Sequence, residues 1–280
     1  MINAEKLNRY RTQRRPGDSG SRDLMTAVPT ADEVAPPEDD LKQDLSRRTA
    51  RIAGVWFAIT FIASIPALLL YGPVLDHAHY ILGTGADTRI EFGALLEIIT
   101  AIANIATAVV LFPILRRVSE SVDLGYVAIR IVEGTIIVLG LISLLAVVTL
   151  RQDIGGAAAA DSSSLDIAGR SLVAFHEWTR LLGPQFCAGL GNGIVLGYLM
   201  YKSGLVPQRM ALLGLIGGPL AFAGGILVLF GAFDNGSAPL FLITLPEILW
   251  EASLTIWLLV KGFRPAPILS RGASPALQTS

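Results

Sequence analysis

The sequence predicts an all-α integral membrane protein, a bundle of six transmembrane helices with both termini in the cytoplasm and a disordered N-terminal tail. Three observations predict it. Hydrophobic residues make up 52% of the chain and charged residues 16%, against roughly 25% charged in a soluble domain. The apolar residues gather in six stretches between residues 52 and 260, each close to the about 20 helical residues that a ~30 Å hydrocarbon core requires. No alternation of apolar and polar residues at period two runs through them, which argues against barrel strands.

Residues 1–46 are polar and rich in Pro, Asp, Glu and Arg, as in Asp32-Glu-Val-Ala-Pro-Pro-Glu-Asp-Asp40. Such a stretch buries too little apolar surface to fold, so it reads as a disordered cytoplasmic tail. Met25 could replace Met1 as the start, changing this tail alone. Span one covers 52–71; with no apolar core before it and no small-residue cleavage site behind it, it reads as a retained signal anchor. Spans two to six cover 90–111, 127–150, 181–201, 210–233 and 238–260, giving a membrane domain over 47–264 and a cytoplasmic C-terminal tail over 265–280. Between spans three and four, Gly155 to Ser164 is rich in Gly, Ala and Ser and reads as a flexible external loop. Ser163 and Asp166 resemble a capping box, and Leu165, Ala168, Leu172 and Phe175 follow at helical spacing, so a short interfacial helix leads into span four. Trp178 then falls at headgroup level.

The orientation follows from the basic residues of short loops, which stay on the cytoplasmic side. Arg47, Arg48 and Arg51, then Arg116 and Arg117, Lys202 and Arg209, and Lys261 and Arg264 occupy one side. The other side holds Arg89, Arg151, Arg170 and Arg180 among Asp76, Asp87, Asp153, Asp161, Asp166 and Asp234. Both termini are thereby placed in the cytoplasm.

Helices in lipid gain little from hydrophobic contact and rely on close approach through small residues. Gly189, Gly193 and Gly197 recur every four residues in span four, and Gly217, Ala221 and Gly225 do so in span five. These smooth faces are expected to pack. Pro66, Pro184, Pro219 and Pro246 each remove a backbone donor in or near a span.

Two polar stripes carry the functional reading. Glu97, Thr100, Asn104 and Thr107 share one face of span two, and Thr244, Glu247, Glu251 and Thr255 share one face of span six. An acid at the centre of a lipid-immersed helix costs roughly 2.5 to 3.5 kcal/mol, so both stripes should face inward. The expectation is an outward-open polar cavity between spans two, four and six. Its wall would hold Glu97, Glu247 and Glu251, its floor Asn104, and His176, Glu177, Arg180 and Gln185 of span four would complete it. Two roles are open to such groups: locking helices together, or carrying a small solute or a proton. Arg130 and Glu133, three apart on span three, read as a structural ion pair.

Enzymatic signatures are missing. His176-Glu-Trp-Thr-Arg180 begins like a zinc-protease helix but has Arg where the second His is needed, and no nucleophile elbow or phosphate loop is present. His77, His79 and His176 fall on one side and could bind zinc, although exposed loop histidines explain them more simply. The single Cys187 excludes an intrachain disulfide. No cofactor, metal or nucleic-acid partner is expected; the bilayer is the partner, with a small solute or proton the candidate ligand.

Several pieces together resemble a bacterial family of six-helix membrane proteins, domain of unknown function 4386. They are Arg51-Ile-Ala-Gly, Leu111-Phe-Pro-Ile-Leu-Arg-Arg117, Gly125-Tyr-Val-Ala-Ile-Arg-Ile-Val-Glu133, His176-Glu-Trp, Leu182-Gly-Pro184, Ser203-Gly-Leu-Val-Pro207, Pro246-Glu247 and Trp257-Leu-Leu-Val-Lys-Gly-Phe263. The resemblance implies a multi-pass protein of the cytoplasmic membrane and brings no substrate, cofactor or catalytic residue.

Overall fold

The computed structural model describes residues 38–76, 80–82, 86–154 and 162–270. The expectations for residues 1–37, the start site, His77, His79, the loop 155–161 and residues 271–280 fall outside them. Among the described residues every regular element is helical.

The first helix, α1 (Glu38–Leu70), starts inside the stretch read as tail. Next come α2 (Asp87–Leu115) and α3 (Glu120–Ile154). In α3, Glu120 and Asp123 lie in the first turn and Arg151 in the last, both favourable with the dipole. The interfacial helix is longer than expected: α4 (Ser162–Arg180) runs without a break into two π-helical stretches, Leu181–Gln185 and Ala188–Leu196, and then α5 (Gly197–Ser203). Two apolar helices follow, α6 (Gln208–Leu229) and α7 (Ala238–Val260).

Among the described residues five helices are long and apolar enough to cross a membrane: Gln43–Leu70, Asp87–Leu115, Glu120–Asp153, Gln208–Leu229 and Ala238–Val260. The segment read as span four is helical as well, but wound in α and π turns. Pro184 explains where the widening starts. It has no N–H to give, its ring crowds the carbonyl four residues back, and a wider turn relieves that clash.

The elements pack as a closed ring: α1 on α2, α2 on α3, α3 on the second π stretch, that stretch on α6, α6 on α7, and α7 back on α1. Outward faces are apolar, with Ile62, Leu69, Ile102, Ile216, Leu242 and Ile256 each more than half exposed. Such a surface suits lipid and not water. Inside, one apolar layer at the end nearer the termini includes Phe57, Leu115, Leu199, Trp250 and Leu258. A second, at the opposite end, includes Tyr71, Ile81, Ile90, Leu144 and Val148. Along the helices, Asn104, Arg130, Glu133 and Asn192 fall between these layers and are buried.

Past α7 the left-handed Gly262 turns the chain back, and the Arg264 N–H donates to the Leu205 carbonyl at 2.8 Å. Ile268 and Leu269 then pack on the core, so the stretch read as a C-terminal tail is partly anchored.

Candidate polar site inside the bundle

Arg130, Glu133 and Asn104 form a closed triangle between α2 and α3. Arg130 is 2% exposed. Its Nη1 donates to Glu133 Oε2 at 2.6 Å, its Nη2 to Asn104 Oδ1 at 2.6 Å and its Nε to the Asn104 carbonyl at 3.2 Å. Asn104 Nδ2 donates in turn to Glu133 Oε1 at 3.0 Å. Both carboxylate oxygens and both ends of the amide are satisfied, which a buried ion pair needs if it is not to destabilise the fold.

One helix further round, Asn192 ties three elements together. Its Oδ1 accepts from Tyr126 Oη of α3 at 3.1 Å, and its Nδ2 donates to Glu251 Oε1 of α7 at 2.5 Å. Its carbonyl accepts the Trp250 indole Nε1 at 2.9 Å as well as the Gly197 N–H five residues on. The π winding makes this second bond possible, because the wider turn leaves a carbonyl lone pair open to a side chain. The fields of Arg130 and Glu133 reach Glu251, so the triangle and this hub belong to one interior.

Glu247, one turn before Glu251, is 2% exposed, and neither of its oxygens meets a hydrogen-bond donor among the described residues. Glycines surround it. A Cβ on Gly193 would lie 2.5 Å from Glu247 Oε2, and one on Gly217 would lie 2.5 Å from the Glu247 nitrogen. The glycine faces meet partly as pairs: Gly189 and Gly193 lie against Gly218, and Gly197 against Leu215, whereas Gly217 faces α7 and Gly225 faces the Phe186 ring.

The remaining candidates lie elsewhere. Glu97 accepts from Tyr71 Oη at 3.0 Å, and the Tyr71 ring meets His176 edge-on with centroids 5.5 Å apart. His176 is buried, with Nδ1 at 3.1 Å from the Gly140 carbonyl. Arg180 is half-buried, within electrostatic reach of Glu97 and Glu177. Glu177 is exposed and lines a cleft of about 190 Å3 with Val74, Tyr80, Ile81, Val147 and Arg170. Tyr80 Oη donates to Asp87 Oδ1 at 3.0 Å, and Asp87 also pairs with Arg151. Burial first, and then that hydrogen bond, push the Tyr80 phenol up to about 12, so it stays a donor. Gln185 Nε2 bridges the Ala221 carbonyl at 2.8 Å and Thr244 Oγ1 at 3.0 Å, linking α6 and α7.

The structure therefore brings Asn104, Arg130, Glu133 and Glu251 into one interior and places Glu97 with Tyr71 and His176 in another cluster. Span three, read as a separate ion pair, is central to the first. Asn192, Tyr126, Trp250 and Tyr71 were not singled out by sequence. A polar residue between two glycines, Gly191-Asn192-Gly193, was the available signal.

Residues 52–262 match the family described as domain of unknown function (DUF4386). The chain belongs to that family. No curated protein and no solved structure matches it. The DUF4386 region takes in the interior network and the cluster of Glu97, Tyr71 and His176, and ends at Gly262, where the chain turns back.

Proposed function

We propose that this protein is a six-span protein of the bacterial cytoplasmic membrane, both termini cytoplasmic, that passes a small solute or a proton through its polar interior. The carrying observation is the charge balance around Asn192: one guanidinium, Arg130, shares that interior with two carboxyl groups, Glu133 and Glu251, and a third, Glu247, follows one turn before Glu251 with no donor among the described residues. A buried surplus of carboxylates calls for a positive charge that arrives from outside the chain, whether a proton or a cation. The composite fourth segment supports the same reading, since backbone that departs from the α-helix at membrane depth is tolerated where protein or a polar cavity surrounds it. Span three joins the path in place of the simple alternation of spans two, four and six.

A second reading, a non-transporting scaffold or partner-binding protein, is favoured by the triangle of Arg130, Glu133 and Asn104, whose groups already satisfy one another. Vesicles loaded with a pH-sensitive dye separate the two. Under an imposed inside-negative potential, the reconstituted chain should acidify the lumen faster than empty vesicles, and Glu251→Gln should remove the excess. Equal rates for all three preparations, with no cation flux either, would leave the scaffold.

A further inference from the structure

We infer that Glu247 anchors a binding site for a small monovalent cation, sodium, where α7 meets α6 and the second π stretch; this deepens the solute path proposed above and rests on it. Glu247 is 2% exposed with both carboxylate oxygens unpartnered among the described residues. Its charged neighbour at short range is Glu251, another carboxylate. The hydrogen bonds of Arg130 go to Glu133 and Asn104, and none reaches Glu247. The positive charge that a buried carboxylate requires is thus not supplied by the chain near it.

The packing sets the size of the missing partner. A Cβ on Gly218 would lie 2.5 Å from the Gly189 carbonyl oxygen and 2.7 Å from the Ile194 nitrogen. There α6 and the π stretch touch backbone to backbone beside the carboxylate, which leaves no room for an organic cation. The available donors set its class. They are hard oxygens: Glu247, the second oxygen of Glu251 and main-chain carbonyls of the π stretch, which can accept more than one partner, as Asn192 does. Carbonyls of irregularly wound helices are suited to coordinating sodium at membrane depth. Among the described residues no group of three or more His, Cys, Asp or Glu is placed to hold a metal ion, so main-chain carbonyl oxygens would complete the shell.

The full-length chain in detergent tests this by thermal unfolding, followed through tryptophan fluorescence in sodium, potassium or choline chloride at equal ionic strength. Sodium should raise the midpoint by several degrees in a saturable way, and potassium should need at least a tenfold higher concentration for the same rise. Glu247→Gln should flatten the sodium response, while Glu91→Gln, on the exposed face of α2, should keep it. Should Glu247→Gln fail to fold, Glu251→Gln should move the half-saturating sodium concentration up by about tenfold. A midpoint equal in sodium and choline overturns the site, as does a response that survives Glu247→Gln or equal potency of sodium and potassium. Sodium binding without any flux would sink the transport reading and leave this site standing; proton flux with no sodium response would do the reverse.

Discussion

The Arg130 triangle between α2 and α3 and the Glu247 slot between α6 and α7 bury the same kinds of group in one bundle and meet the cost of burial in opposite ways. In the triangle the carboxylate oxygens of Glu133 each accept a hydrogen bond from within the chain. In the slot both oxygens of Glu247 are left without a donor among the described residues, against bare glycine backbone. A closed set of partners holds helices together and has nothing left to offer a ligand. An unmatched acid weakens the apo fold and gains stability only when something binds.

The largest effect that can test this contrast comes from Arg130→Ala. It leaves Glu133 buried without its cation and should destabilise the protein by about 3 to 5 kcal/mol, measured by unfolding in mixed micelles of increasing denaturing detergent. A loss below about 1 kcal/mol would deny the triangle its structural role. Gly193→Ala comes next. Its methyl would collide with the Gly218 backbone and the Glu247 carboxylate, and overpacking of this kind costs about 1 to 3 kcal/mol. The same titration should show that loss together with a weakened sodium response, and an unchanged curve would mean the slot is looser than described. Tyr71→Phe removes the hydrogen bond to Glu97 and should cost about 0.5 to 1.5 kcal/mol, with no change in sodium response because it belongs to the other cluster. Coupling between Tyr71 and the sodium response would merge the two clusters. The smallest effect is a gain. A Cβ on Gly125 in α3 meets nothing within 4 Å, so Gly125→Ala should stabilise the helix by about 0.5 to 1 kcal/mol.

Much of the fold was legible because hydrocarbon imposes a length and an apolar composition that can be counted along the chain. The polar stripes were legible for a similar reason: Glu97 and Asn104, or Glu247 and Glu251, recur at helical spacing whatever surrounds them. Their partners were not. Which helices neighbour each other in a ring is a tertiary fact, and it sent Glu97 to Tyr71 and Asn104 to Arg130. The π winding left no mark on a pattern read at 3.6 residues per turn, so Asn192 passed for a polar interruption in a packing face.

Cys187, the chain's single cysteine, lies half-buried at the joint between the two π stretches, with Sγ 3.4 Å from the Leu182 carbonyl. A sulfhydryl at that joint is a native reporter that needs no engineered label. If ligand entry rewinds the fourth segment, maleimide will alkylate this thiol at a different speed in sodium than in choline, and the chain will time its own conformational cycle.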